Sequence, residues 1–336
     1  MRLRGGLGRA AIGIAISVVA LALVVRSVDL GAAWESLQHA QPGWVLLLVL
    51  FIAADVLLRA VRWRVLLAPV AAVPFRSTLS SLLVGYLANN VLPARLGEIV
   101  RSHDLGERTG LSRSTILGTI VVERVVDTLV VVVIAAIAIL VLSVRGIVAS
   151  AVLVGLALSG LLVVGIVVGM AAHRLPGADR AAAYIGRWPR VRQVLIRLRA
   201  GLAIVANVRV MVTAVVLSIM SWSFTVLAFA SAAQAVGVEP TIGQAALLAA
   251  GTNLATAIPA APGYVGTYEL AAVTIGASVG IGKEQAFAFV VLIHAASLLL
   301  TSVGGAAVFL ASRRHVATPA PSKAPVSPAT GEGGEP

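Results

Sequence analysis

The sequence predicts an all-α polytopic membrane protein with about six full transmembrane helices and two broken, re-entrant helical hairpins in an inverted-repeat arrangement. Three observations predict it. The 336 residues are 59% hydrophobic and only 12% charged, with a mean hydropathy of +0.99; a soluble domain carries about 25% charged residues. Apolar runs long enough to span a bilayer recur along the chain. Two of the apolar stretches, Gly85–Arg101 and Gly251–Glu269, break with the same grammar.

The first run, 10–25, follows Arg2, Arg4 and Arg9 and resembles a signal peptide. No clear small-x-small cleavage site follows, so it reads as an uncleaved first membrane helix. Further spans fall at 44–61, 114–142, 147–172, 210–236 and 284–311, against the ~20 residues a span requires. The tail 317–336 is rich in Pro, Ala, Ser and Gly and is expected to be disordered. One transmembrane domain, 1–316, therefore holds a first repeat over about 44–142, a basic connector over 173–209 and a second repeat over about 210–311.

Charge bias sets the expected orientation. The N-terminus is basic and is placed inside. The first loop holds Asp29 and Glu35 with Arg26 and is placed outside; Arg59, Arg62 and Arg64 return the chain inside. Segment 77–93 has basic flanks on both sides, Arg64 and Arg76 before it and Arg95, Arg101, Arg108 and Arg113 after it. A segment with both ends inside dips in and returns. The connector carries Arg174, Arg180, Arg187, Arg190, Arg192, Arg197, Arg199 and Arg209 against Asp179. Part of it has helical apolar spacing, which suits either an amphipathic helix on the inner leaflet or a plain basic linker. Charges leave open whether 241–281 re-enters or crosses three times. The re-entrant reading makes the two halves match with opposite orientation and brings both broken motifs to the midplane.

The broken motifs hold the candidate site. In each, a glycine precedes a proline by eight residues (Gly85 and Pro93, Gly251 and Pro259), with Asn89 or Asn253 between them and a Gly–Glu pair beyond. Proline removes a backbone donor, and such a break survives at membrane depth only inside protein or beside a water-filled cavity. Asn89, Asn90, Arg95, Glu98 and Arg101 cluster at the first. Arginine forks suit phosphate, and Glu98 would orient one of them; the same residues also suit a capping and loop-closing network. At the second, Gly263 and Gly266 leave the backbone open to close approach. Glu269 there would pair with an arginine of the first motif or carry a proton. Within 114–142, Glu123, Arg124 and Asp127 place three ionisable groups inside a span. That is a functional hypothesis by default, against a structural ion cluster tied to Arg95 or Arg101. His294 reads as a packed histidine, and Arg59, Trp63 and Arg64 as interface anchors.

Other chemistries are not expected. The chain has no cysteine, no phosphate-binding P-loop and no His-Glu-x-x-His, so no catalytic residue, metal site or cofactor is assigned. The net charge of +12 is read as a topology and anionic-lipid signal, and nucleic acid is not an expected partner.

Taken in order, Arg62-Trp63-Arg64, Asn90-x-Leu92-Pro93-x-Arg95-x-Gly97-Glu98-x-x-Arg101, Glu123-Arg124-x-x-Asp127 and Pro262-Gly263-x-x-Gly266-x-x-Glu269 resemble the lysylphosphatidylglycerol synthase transmembrane-region family. Its members include the flippase-like half of the multiple peptide resistance factor. The resemblance runs over about 10–312. It implies a flippase-like domain in a bacterial-type inner membrane, without the soluble synthase domain of two-domain relatives; the basic N-terminus and Arg313 and Arg314 near the C-terminus place both termini on the cytoplasmic side. The expected activity is moving a phospholipid or polyprenyl-phosphate-linked lipid between leaflets, with an anionic lipid as ligand. The rivals are a non-enzymatic accessory subunit beside envelope-biosynthesis enzymes, and a secondary transporter of a small solute.

Overall fold

A computed structural model of the chain describes residues 2–92, 96–150, 152–155, 157, 161, 203–257 and 260–316. The described residues form helices and no strand. In order they are α1 (Arg2–Ser27), α2 (Leu30–Gln38), α3 (Pro42–Leu67), α4 (Phe75–Val91), α5 (Gly97–Thr109), α6 (Arg113–Leu142), α7 (Val208–Ala235), α8 (Ile242–Ala255), α9 (Thr267–Ser278) and α10 (Lys283–Val316), with 3-10 turns at Ala203–Ala206 and Pro262–Tyr264.

Among the described residues four helices are long and apolar enough to cross a membrane, α3, α6, α7 and α10 as far as Ser312, or five if the bent α1–α2 pair is one span. They meet the expected spans 44–61, 114–142, 210–236 and 284–311. The expected span 10–25 lies in α1, which bends by 85° into α2. Asp29 makes the corner, its carboxylate accepting from the Gly31 and Ala32 amides, as a cap does for orphan N–H groups. Helical residues 147–150 and 152–155 begin the expected span 147–172. The remainder of that span, nearly all of the basic connector 173–209, and the tail 317–336 lie outside the described residues.

The long helices end where local chemistry stops them. Ser112 caps α6 by accepting from the Thr115 amide, and Asn207 caps α7 by accepting from Val210. Thr241 and Gln244 close a reciprocal capping box at the start of α8. Gly110, at φ 73°, ends α5 in the left-handed conformation.

The two halves share one helix order: long, short, short, long. Pro42 and Val208 open the first long helices, and Gly85 and Gly251 sit within the first short ones; each pair is 166 residues apart, as Pro93 and Pro259 are in the sequence. Gly97 and Thr267 open α5 and α9, and Arg113 and Lys283 open α6 and α10, now 170 apart. The extra residues fall between Pro259 and Thr267, where the Pro262–Tyr264 turn sits. Packing follows the same exchange. α4 lies on α10 as α8 lies on α6, α4 on α5 as α8 on α9, α5 on α6 as α9 on α10, and α3 packs along α7.

Direction can be read at the ends. The Gln41 amide donates to the Ala235 carbonyl at 2.9 Å, so α3 begins where α7 ends. Leu66 packs with Ala214 and Met211, so α3 ends where α7 begins. The α4–α5 hairpin opens at the end of α10, where Arg108 donates to Ser312 at 2.8 Å. The α8–α9 hairpin opens at the other end of the bundle, where a side chain at Gly243 would meet Leu142 of α6. The hairpin tips approach each other: α4 packs on the Pro262–Tyr264 turn.

The glycines eight residues before each proline are packing positions. A Cβ on Gly85 would stand 2.9 Å from Arg101 Cβ and 3.1 Å from the Gly97 carbonyl, and a Cβ on Gly251 would strike Ile275 of α9. Each lets a second hairpin arm close on the first. Gly85→Val should therefore lower unfolding stability in detergent by ~1–3 kcal/mol, the usual cost of overpacking. Gly43→Val, which meets nothing within 4 Å, should change little in the same thermal melts.

Candidate functional site

The site begins on α3. Asp55, Arg59 and Arg62 follow at intervals of four and three and so share a helix face. In a span this face must turn inward, because an ionised group facing lipid has nothing to replace its water. It packs on α7, whose serines receive it. Ser221 donates to the Asp55 carboxylate, and Ser218 accepts from Arg62 and donates to Asp127, each at 2.7 Å. Arg59 holds Asp55 at 2.8 Å and lies over the Trp222 ring at 5.5 Å.

α6 supplies the carboxylates. Glu123 is fully buried and receives three guanidinium groups: Arg62 at 3.3 Å, Arg101 at 2.7 Å and Arg124 at 2.8 Å. Arg101 binds it through both terminal nitrogens, at 3.1 and 2.7 Å, in the fork geometry that only arginine offers. Asp127 takes Arg62 through both oxygens and has Arg59 at 3.5 Å and Arg124 at 3.6 Å. Arg101 is held flat over the Trp63 ring, 3.5 Å from its centroid, while Trp63 donates to Thr119 at 3.1 Å. Four arginines thus meet three carboxylates, leaving one positive charge in excess among the described residues of the cluster. The Arg124 side chain is 43% exposed while its partner Glu123 is closed off. The excess charge is reachable there.

The hairpin tips do different work. Asn89 accepts from the Gly97 amide at 2.8 Å, so it caps α5 across the break. Asn90 donates to Thr301 and Ser302 at 3.0 Å each, which ties α4 to α10. Both amides therefore act in the closing network. Glu98 is half-buried at the second position of α5. Pro93 and Arg95 lie outside the described residues.

In the second hairpin, Pro262 opens the turn, and Gly263 (φ 68°), Tyr264 (φ 60°) and Gly266 (φ 90°) carry the chain through the left-handed region. Gly266 also faces the α1 backbone at Ser17, and Ser17 accepts from the Ala261 amide at 2.8 Å. Glu269 accepts from the Gly266 amide at 2.6 Å, a carboxylate cap on α9. Its other oxygen meets His294 Nδ1 at 2.5 Å, and His294 Nε2 meets the Gly263 carbonyl at 2.7 Å. Glu269 thus pairs with His294, where the sequence suggested an arginine of the first motif.

Of the expected residues, the fold gathers Arg101, Glu123, Arg124 and Asp127 into one cluster and Gly263, Gly266 and Glu269 into another. Arg59 and Trp63, expected as interface anchors, are part of the first cluster, and Trp63 is fully buried. Sequence reasoning missed Asp55 and the role of Arg62. Their signal was present: ionisable residues at i, i+4 and i+7 inside an apolar run mark an inward stripe.

A family model described as "Lysylphosphatidylglycerol synthase TM region" matches residues 10–305. A protein named "Glycosyltransferase AglD", from Haloferax volcanii, is 26% identical over 328 residues, covering 87% of this chain and 53% of its own length. A "UPF0104 membrane protein" from Methanothermobacter thermautotrophicus is 32% identical over 123 residues, 36% of each. The chain spans about half the length of the first relative and about a third of the second. No solved structure matches.

Breaking a buried ion pair leaves an uncompensated charge and costs ~3–5 kcal/mol, whereas replacing both partners with apolar groups is often close to neutral. Asp127→Leu alone should therefore sharply lower the thermal midpoint in detergent. Adding Arg62→Met should recover most of the loss, and a double-mutant cycle on unfolding midpoints would measure the coupling.

Proposed function

The chain belongs to the lysylphosphatidylglycerol synthase transmembrane-region family, and on that premise we propose that it is a flippase- or scramblase-like protein carrying an anionic phospholipid or polyprenyl-phosphate-linked lipid between leaflets. The observation that carries this reading is the buried cluster of four arginines and three carboxylates, with its excess charge led outward by Arg124. A net cation held inside a membrane protein lacks a counterion. An anionic headgroup supplies one, and a phosphate has the geometry for a guanidinium fork.

The architecture supports a carrier. Two halves with the same helix order and opposed directions suit an inverted-topology repeat, in which sites form near the midplane between broken helices. On this reading both hairpins are re-entrant. The first opens on the cytoplasmic side, together with the basic residues Arg76, Arg108 and Arg113, and the membrane is a bacterial-type inner membrane. Asn89, Asn90, Glu98, Gly97 and the Pro262–Gly266 turn then shape the two tips, and Arg101 is the described arginine of the first motif that would face a phosphate.

A second reading has one observation in its favour. The relative named as a glycosyltransferase aligns over most of this chain, yet the chain covers only 53% of it. A membrane part that presents or receives lipid for an envelope glycosyltransferase would fit that pattern.

Purified protein in liposomes separates the two. Protein-dependent leaflet exchange of fluorescent phosphatidylglycerol supports transport; absence of exchange for both an anionic phospholipid and a polyprenyl phosphate favours the accessory role. Arg124→Gln removes one charge-assisted contact, and ~1.4 kcal/mol of headgroup affinity is about tenfold. Exchange at limiting lipid should fall by about that factor while the unfolding midpoint stays near wild type, because Arg124 is the exposed member of the cluster. An equal loss of stability would mark Arg124 as structural.

A further inference from the structure

We propose that Glu269 and His294 form a proton-carrying site and that the protein moves its lipid together with a proton, an inference that rests on the lipid-transport reading above. The hydrogen-bond partners decide the protonation state. His294 Nε2 lies 2.7 Å from the Gly263 carbonyl, an acceptor only, so Nε2 must carry a hydrogen. His294 Nδ1 lies 2.5 Å from Glu269 Oε1. With Nε2 protonated, a neutral ring presents a lone pair at Nδ1, and an ionised carboxylate presents another. Two lone pairs cannot hold that distance. A second proton must lie between them, on the carboxyl or on the ring. Either way the pair is neutral overall and holds one removable proton.

Among the described residues no other charge stands against this pair. The elements packed on α9 are α1, α8 and α10. Among the described residues α8 has no ionisable side chain and α1 presents Ser17 at this level, with Arg26 in its last turn. On α10, Lys283 and Glu284 lie about three turns before His294, and α7 has only Arg209 near its start. Tyr268 stacks on His294 with ring centroids 4.6 Å apart. From α4 the turn meets Asn90, with Tyr86 and Arg76 further along the helix. Among the described residues Glu269 has no guanidinium partner, unlike Glu123; its partner is His294, and the shared proton balances it.

The proton also holds the fold of the tip together. Glu269 caps α9 through Gly266, and His294 ties α10 to the Gly263 carbonyl, so one shared proton joins the turn, α9 and α10. Its departure leaves a carboxylate facing a lone pair and removes the tie between α9 and α10. Proton release and movement of the hairpin tip are therefore one event. The register of the two halves deepens the point. A shift of 170 residues sets Arg124 opposite His294. The arginine cluster takes a headgroup anion in one half while the counterpart position in the other half takes a proton. Moving both together carries no net charge for a singly anionic lipid.

The test uses the full chain in phosphatidylcholine liposomes with a trace of fluorescent phosphatidylglycerol, and with pyranine inside to report protons. Wild type should exchange the lipid faster under an imposed pH gradient, and adding phosphatidylglycerol to one leaflet should shift the pyranine signal. Glu269→Gln keeps an acceptor for the Gly266 amide and donates to Nδ1, so it mimics the protonated state permanently. It should retain the wild-type unfolding midpoint and lose both the gradient effect and the pyranine shift. Wild-type exchange that ignores the gradient and moves no protons overturns the proposal and leaves lipid transport standing, whatever the variant does. Absence of any protein-dependent exchange overturns both. A Glu269→Gln protein that still moves protons overturns the assignment to this pair.

Discussion

The fold hangs on a carboxylate that water does not reach. Glu123 is fully buried in a span, and an isolated ionised group there would be prohibitively costly. It is tolerated because Arg62, Arg101 and Arg124 surround it. These three come from α3, α5 and α6, so one acid fixes where the first hairpin's second arm must lie relative to two spans. The cation–π contact of Arg101 on Trp63 and the serines of α7 then complete the arrangement. Buried ion pairs are poor sources of net stability, since desolvation offsets much of the attraction. What this network supplies is specificity: the Arg101 fork on Glu123 ties α5 to α6 at one position.

The same prohibition governs the breaks. A helix that starts inside a bilayer exposes its first amides to a medium with no acceptors. Each half answers with a side-chain oxygen. Asn89 reaches across the break to the first amide of α5, and Glu269 reaches back to Gly266 at the head of α9. The answers differ in a way that matters. Asn89 is neutral whatever happens around it. Glu269 is ionisable, so capping α9 and holding a proton fall on one residue.

How much of this was legible in the sequence depended on the range of the interaction. The spans follow from long apolar runs, and the hairpins from the Gly, Pro and Asn spacing, which records local backbone geometry. Glu123, Arg124 and Asp127 announced themselves because charges inside a span are rare. Arg62 did not, because it stands beside Trp63 and Arg64 near a helix end, where basic and aromatic residues ordinarily anchor at the interface. Only the packing of α3 on α6 and α7 turns it inward. His294 was hidden for a related reason. A single histidine on an apolar helix carries no pattern, and its partner lies 25 residues away on another element. The pairing of Glu269 with an arginine was a reasonable expectation from charge alone; among the described residues Glu269 meets His294 instead, while Arg101 of the first motif is held by Glu123.

The two halves are asymmetric in charge. At the offsets of 166 and 170 residues between like helices, Asp55 corresponds to Ser221, Arg62 to Ala228, Arg101 to Ala271 and Asp127 to Ser297. Ser221 donates to Asp55 itself, so the two positions meet where α3 and α7 cross, as an isologous contact does at an axis of symmetry. A second charged cluster would bring like excess charges into one low-dielectric bundle and double the desolvation cost. At these four positions the second half has serine or alanine where the first has ions. The ionisable pair Glu269 with His294 needs no external counterion, because it carries its own proton. Two halves with the same helix order therefore hold two unlike sites, a fixed cation beside one hairpin and a removable one beside the other.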